Sequence, residues 1–261
     1  MNSSTNRAEF ILQELMRNGQ VSSEALSQQL SVNSSTIRRD LERLERQNLL
    51  RRVHGGAVPV DTLSYSTYAN ELTFQKNMNK QMEEKTRIAT YALQLISSGD
   101  TIALSPGTTT TLLARALRQA ALSDLTVVTN ALNIAMELNG LPNLTLTLTG
   151  GLLLPDFFAL VGPLAEHGLS QMHIPKAFIG VTGLHPKYGL TGPNQLEAST
   201  HRVTIQRSQR VILLADFTKL GQIALHAVAP CEAIHTLITD QQADSGIIEA
   251  LRDKGVTVHV V

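Results

Sequence analysis

Apolar positions in the first third of the chain recur at helical spacing and then give way to alternation. Ile37, Leu41 and Leu44 fall on one side of a helix at 100° per residue, and Arg39, Arg43 and Arg46 fall opposite. Asn33 stands where an N-cap belongs, with Ser34, Ser35 and Thr36 in the first turn, so the end of the helix that can approach base edges is small and polar. Upstream, Phe10, Ile11, Leu12 and Leu15 predict a first helix ending near Asn18-Gly19. Ser22 or Ser23 then caps a short second helix carrying Ala25, Leu26 and Leu30. Three helices with a tight turn before the third describe a helix-turn-helix. Leu49 to His54, followed by Gly55-Gly56, predicts a hairpin, a basic wing able to lie against phosphates. On the residues alone an ordinary amphipathic surface helix, its arginines paired with Asp40, Glu42 and Glu45, stays open.

Between Pro59 and Phe74 the periodicity lapses, which predicts a linker. From Gln75 to Ser98 a long helical pattern follows, with Ile88, Ala92 and Leu95 on one stripe and Glu83, Glu84, Lys85 and Arg87 on the wet side. Beyond Asp100 short apolar strands alternate with helices. Strands are expected at Thr101 to Leu104, Leu125 to Thr129, Leu144 to Thr149, Ala177 to Val181, Val211 to Ala215, Leu237 to Thr239 and Val256 to Val260. Helices are expected at Thr110 to Gln119, Ala131 to Leu138, Gln195 to Arg207 and Ser245 to Lys254. Such alternation means a largely parallel sheet covered on both faces, with ligands outside the carboxyl ends of its strands.

Three loops occupy that kind of position. Ser105-Pro106-Gly107-Thr108-Thr109-Thr110-Thr111 follows a strand and opens a helix, where glycine permits close backbone approach and free amides and hydroxyls converge on an anion such as phosphate. Helix capping is the plainer use of those threonines. Thr129-Asn130 and Thr149-Gly150-Gly151 are weaker signals, because Asn and Gly are common after strands.

TIRRDL at Thr36 to Leu41, LE at Leu44-Glu45 and RVHGGA at Arg52 to Ala57 resemble the amino-terminal domain of the DeoR family of bacterial transcription regulators, usually repressors. IALSPGTTTT, VVTNA, LTGG, KAFIGVTG, GLTGPN and LLADFTKLG resemble that family's effector-sensing domain, in the family's order. The resemblance implies an α/β chain: a winged helix-turn-helix over residues 4–59, a linker over 60–74, and over 75–261 a Rossmann-like sensor related in fold to ribose-5-phosphate isomerases and coenzyme A transferases. It implies that Gly107, Thr108 and Thr109 hold the phosphate of a sugar or polyol, that Asn130, Gly150 and Gly151 line the pocket, and that Lys219 adds positive charge. Two positions depart from the family's habit of aspartate, Ser105 and Pro175. A serine can hydrogen-bond a sugar hydroxyl but offers no carboxylate.

Composition changes the picture only locally. The chain has 261 residues and zero formal net charge, yet residues 34–54 hold six arginines against three acids. The single cysteine, Cys231, excludes an intramolecular disulfide and a cysteine zinc site, and no two of the eight histidines lie within four residues of each other. Neither a signal-peptide core nor an apolar run of spanning length is present, so a cytoplasmic protein without membrane, metal or cofactor is expected.

The expected partners are therefore an operator duplex, a phosphorylated sugar or polyol, and further copies of the chain as a dimer or tetramer. Ser34, Ser35, Thr36, Arg38, Arg39, Arg43 and Arg46 would face DNA with Arg51, Arg52 and His54 of the wing. Ser105, Gly107, Thr108, Thr109, Thr110, Asn130, Gly150, Gly151 and Lys219 would face the effector. The rival is a sugar-phosphate isomerase with an appended DNA-binding segment. Isomerisation needs a positioned base, and after the KAFIGV strand the chain reads Thr182-Gly183-Leu184, leaving Glu197 as a lone candidate. A glutamate opening a helix is more often a dipole partner, so no catalytic residue is assigned.

Overall fold

The structure is a computed structural model and describes residues 4–18, 20–46, 49–53, 55–59 and 71–261. The chain divides into two compact units, residues 1–67 and 68–261.

In the first unit α1 (Ser4–Asn18), β1 (Val21–Ser22), α2 (Ser23–Leu30), α3 (Ser34–Arg46), β2 (Leu50–Val53) and β3 (Gly56–Pro59) form a winged helix-turn-helix. Ile11 and Leu15 of α1, Leu26 of α2, and Ile37, Leu41 and Leu44 of α3 are buried together with Leu50 and Ala57 of the wing. The Ser22 hydroxyl accepts from the Ala25 amide at 3.0 Å and caps α2, which stops at Ser31 in a left-handed conformation. Asn33 Oδ1 then accepts from the Ser35 amide, also at 3.0 Å, so the small side chain expected to cap α3 does so. The strands run in the order β1-β3-β2. A Cβ at Gly56 would lie 2.0 Å from the Val21 carbonyl oxygen, so glycine is required where β3 meets β1.

The second unit opens with α4 (Glu71–Asn79) and α5 (Met82–Leu93), where the sequence pattern suggests one helix from Gln75. The chain breaks between them because Gln81 is left-handed, with φ of 49°. The freed carbonyls of Asn77 and Lys80 accept from Lys85 Nζ, which satisfies the end of α4. Lys85, expected on the wet face, is therefore buried. The linker expected over 60–74 lies outside the described residues up to 70, and its last four positions begin α4.

Then come β4 (Thr101–Leu104), α6 (Thr108–Gln119), β5 (Leu125–Thr129), α7 (Leu132–Leu138), β6 (Leu144–Leu148), β7 (Leu152–Leu154), β8 (Ala159–Val161), α8 (Pro163–Ser170), β9 (Ile174–Gly180), β10 (Gly183–His185), β11 (Gly189–Gly192), α9 (Gln195–Gln206), β12 (Ser208–Leu214), β13 (His226–Ala229), β14 (Thr236–Thr239), α10 (Ser245–Arg252) and β15 (Thr257–Val260). Seven strands pair in parallel in the order β15-β14-β12-β9-β4-β5-β6. Strand alternation sorts the core into two layers. Ile102, Leu104, Phe178 and Ile212 face α5, α6 and α7 through Ala92, Leu113 and Ile134. Ala103, Ala177, Ile179 and Leu213 face the other way, onto Leu169 of α8, Ala198 and Ile205 of α9 and Leu251 of α10. The fold is a doubly wound, Rossmann-like sheet.

Two features escape the sequence pattern. β7 and β8 form a short hairpin, and β10, β11 and β13 form an antiparallel sheet of their own, packed over the α9 side. The chain leaves β4 toward β5 and β6 but returns on the opposite side as β9, so the crevice between the carboxyl ends of β4 and β9 is a topological switch point.

Candidate functional site

On the first unit, α3 and the wing carry the arginines. Asp40 is buried and held by Arg7 Nε at 2.8 Å, with Arg43 at 3.4 Å on its other oxygen, so one acid ties the basic helix to α1. Arg46 pairs with Glu42 at 2.8 Å, and Arg52 lies 3.9 Å from Glu45, both at the surface, where such pairs contribute little and exchange readily for phosphate. Among the described residues Arg38, Arg39 and Arg51 have neither an ion pair nor a side-chain hydrogen bond, and all three are exposed. The plainer expectation of paired arginines thus applies to Arg43, Arg46 and Arg52 only. Ser35 is exposed, whereas the Ser34 hydroxyl turns toward Ser27 at 3.4 Å and Thr36 is half-buried. His54 lies outside the described residues.

On the second unit, a cavity of about 640 Å3 sits at the switch point, within the ordinary range of small-molecule sites. Pro106, Gly107, Thr108 and Thr109 reach it from the end of β4, Val181 and Thr182 from the end of β9, and Asp216, Thr218 and Lys219 from the end of β12. The four threonines divide their work. Thr110 and Thr111 donate their hydroxyls to the Gly107 carbonyl at 3.0 and 2.6 Å. Thr108 and Thr109 line the cavity instead, and Gly107, having no side chain, leaves the first amides of α6 without a side-chain cap. Gly107 is at φ of 154°, a region that disfavours other residues, and a Cβ there would come within 3.1 Å of Thr110 Oγ1.

Lys219 lines the cavity, as do Lys80 and Lys85 from the corner between α4 and α5. Burial lowers the pKa of Lys85 from the usual lysine value, while nearby Asp216 opposes that shift. The buried Asp216 carboxylate accepts from the Thr218 amide at 3.0 Å and from the Thr218 hydroxyl, which shapes the turn presenting Lys219.

Five expected effector residues are placed elsewhere. Ser105 is buried between strands, accepting from the Gly180 amide at 2.9 Å, so it joins the ends of β4 and β9. Thr110 holds Gly107, as above. Asn130 spends its side chain on the Leu160 carbonyl at 2.9 Å and its backbone carbonyl on the Leu160 amide at 2.7 Å. Gly150 and Gly151 turn the chain into β7, and a Cβ on Gly151 would lie 2.7 Å from the Val161 carbonyl oxygen. These three residues secure the β7–β8 hairpin, whose tip presents Asp156 and Phe157 to the cavity. Their effect on the site is one step removed.

Sequence reasoning missed Lys80, Lys85, Asp156, His201 and Asp216, and met Glu197 only as a lone candidate base. Of those missed, only Asp216 had a legible signal, in the LLADFTKLG stretch. Glu197 and His201 come from α9, on the opposite layer from α6. Burial holds the Glu197 carboxyl up at about 7 and pushes the His201 imidazole down to about 4.

Comparison with known proteins then decides the family. Residues 7–62 match the DeoR-like helix-turn-helix domain, and residues 80–241 match the DeoR C terminal sensor domain. The chain belongs to the DeoR family. Its DeoR relatives match along nearly their whole length. An uncharacterized HTH-type transcriptional regulator, YulB of Bacillus subtilis, is 36% identical over 90% of this chain and 88% of its own. The HTH-type transcriptional regulator GolR of Listeria innocua is 33% identical over 97% of each chain. The glycerol-3-phosphate regulon repressor of Escherichia coli is 30% identical over 98% of each. This DeoR protein is thus a DNA-binding transcriptional regulator and not an enzyme. Among its described residues no helix is long and apolar enough to cross a membrane.

Proposed function

We propose that this regulator is a cytoplasmic repressor of a carbohydrate- or polyol-utilisation operon, and that a phosphorylated sugar or polyol bound in the cavity changes its affinity for the operator. The observation that carries the reading is the uncapped amino end of α6 at the switch point, with the Thr108 and Thr109 hydroxyls and the Lys219 ammonium facing the same cavity. Helix amides, hydroxyls and a lysine form a phosphate site without further parts. The name of the Escherichia coli relative, a glycerol-3-phosphate regulon repressor, points the same way.

On the DNA side, Arg39 reads base edges with Ser35 and Thr36, while Arg38, Arg43, Arg46, Arg51 and Arg52 engage the flanks and phosphates. Helix-turn-helix proteins usually pair so that two helices reach two half-sites, and a homodimer, or a tetramer made of two such dimers, fits that use. A thermal-shift screen of the full chain against phosphorylated sugars and polyols tests the reading. A ligand at a hundredfold excess over its Kd stabilises by about 2.7 kcal/mol. A hit that also alters operator binding supports the proposal, and a panel without hits counts against it.

A further inference from the structure

Glu197 and His201 have no task in the phosphate site. They stand one turn apart on α9, so their side chains leave the helix on the same side, and both line the cavity. Each is more than nine-tenths buried, and among the described residues Glu197 Oε2 and His201 Nε2 have no hydrogen-bond partner. Buried polar atoms are almost always paired, so two orphans on residues that line one cavity mark a place where a partner arrives.

Their polar neighbours are already engaged. The Thr191 hydroxyl donates to the Gly183 carbonyl and accepts from the Ala224 amide, and the Thr200 hydroxyl donates to the Leu196 carbonyl. The Asn194 side chain accepts from the first amides of α9.

Burial sets what the pair can recognise. With the imidazole pushed down to about 4 it is neutral at pH 7, and with the carboxyl held up at about 7 about half of it stays protonated there. A neutral imidazole has one donor and one acceptor, and a carboxylic acid likewise donates and accepts. The cavity's lysines, Lys80, Lys85 and Lys219, come from other elements, so α9 itself offers an anion no counter-charge, and an ammonium group wants the carboxylate that burial disfavours. Hydroxyl groups, which donate and accept at once, fit both.

We propose that Glu197 and His201 are the specificity-determining end of the effector site, reading a pair of neighbouring hydroxyls on the carbon chain of a phosphorylated polyol or sugar. This rests on the phosphate lying at Thr108, Thr109 and Lys219. Because α6 and α9 cover opposite faces of the sheet, the ligand spans the strand ends from one layer to the other.

The test is calorimetry on the full chain with inorganic phosphate, glycerol 3-phosphate and glucitol 6-phosphate, the last two matched by propyl and hexyl phosphate. At least one polyol phosphate should bind tenfold or more tightly than its alkyl partner. Glu197→Met and His201→Phe, close in volume, should each erase most of that advantage and leave inorganic phosphate within about twofold. Polyol and alkyl phosphates that bind equally to the unaltered protein, a comparison needing no variant to fold, would overturn the proposal while leaving the phosphate site standing. The same holds if the advantage survives both substitutions, or if a variant loses inorganic phosphate and hydroxyl discrimination together. If no phosphate compound binds at all, the reading of the cavity falls, and this proposal with it.

Discussion

Lys85 and Lys80 meet across the corner between α4 and α5: the ammonium of Lys85 donates to the backbone carbonyl of Lys80 at 2.6 Å, and to that of Asn77 as well. The corner is also a wall of the cavity, to which Asn77, Lys80, Gln81 and Lys85 all contribute. It follows residues 60–70, the covalent route from the DNA-binding unit. A phosphate entering near Lys85 would compete with those carbonyls for its protons, which gives the cavity a mechanical hold on α4. Lys85→Met should lower the unfolding free energy of the second unit by about 1.5–3 kcal/mol, the usual cost of losing a charge-assisted hydrogen bond. It should also blunt the operator response to effector. Urea unfolding and operator titration check the two halves, and an unchanged response would take Lys85 out of the coupling.

Arg39 is the arginine of α3 to replace first. It is exposed and unpaired among the described residues, whereas Arg43 shares Asp40 with Arg7. Arg39→Ala should cost about 1–3 kcal/mol of operator affinity and relax specificity at one base position. Binding of unchanged affinity and specificity, measured by fluorescence anisotropy against single-base variants, would place the reading face elsewhere.

The wing should act on phosphates. Arg51 has no partner among the described residues, while Arg52 lies near Glu45 and its amide donates to that carboxylate at 2.8 Å. Removing one arginine–phosphate pairing should reduce the slope of log K against log salt by about 0.9. Arg51→Ala should show that reduction more fully than Arg52→Ala, and unchanged slopes in both would put the wing off the duplex.

How much of this was legible varies with the range of the interactions involved. Periodicity located α3 and its basic face, because both follow from local spacing. The strand-helix alternation located the parallel sheet, and the loop after β4 followed from the rule that ligands meet strand ends. Asn130, Gly150 and Gly151 look alike in sequence to pocket residues, yet they serve a hairpin whose pairing with Leu160 and Val161 is non-local. The burial of Glu197 beside His201 was hidden because it depends on α9 lying against the small antiparallel sheet, which no periodicity announced. Lys85 read as a surface lysine because the left-handed break at Gln81 was not visible.

Glu197 and His201 also give opposite pH dependences of stability. Raised to about 7, Glu197 binds more protons when folded, so its contribution is present below the unfolded carboxylate pKa and is lost as pH rises through 7. Lowered to about 4, His201 binds fewer protons when folded, so its contribution is lost as pH falls from the ordinary histidine range toward 4. Between about pH 5 and 6.5 the two slopes cancel. His201→Phe should expose the Glu197 slope, with stability falling as pH rises, and Glu197→Met should expose the reverse. Each should approach 1.4 kcal/mol per pH unit at most. Urea midpoints across that window decide it, and flat profiles in both variants would contradict the assignment.

An effector held in the cavity as proposed and an operator at the reading helix would act on each other through one protein. The most direct test is the operator affinity of the full chain, measured on a duplex selected in vitro, with and without a phosphorylated compound that stabilises the protein in the thermal screen. The compound should change operator affinity, and operator should change the compound's affinity by the same factor: tenfold either way corresponds to about 1.4 kcal/mol of coupling. Thr108→Ala with Thr109→Ala should shift the effect to higher compound concentration while leaving operator affinity without compound near wild type. A compound that binds tightly and leaves operator affinity untouched, or a double variant that responds at wild-type concentrations, would contradict it.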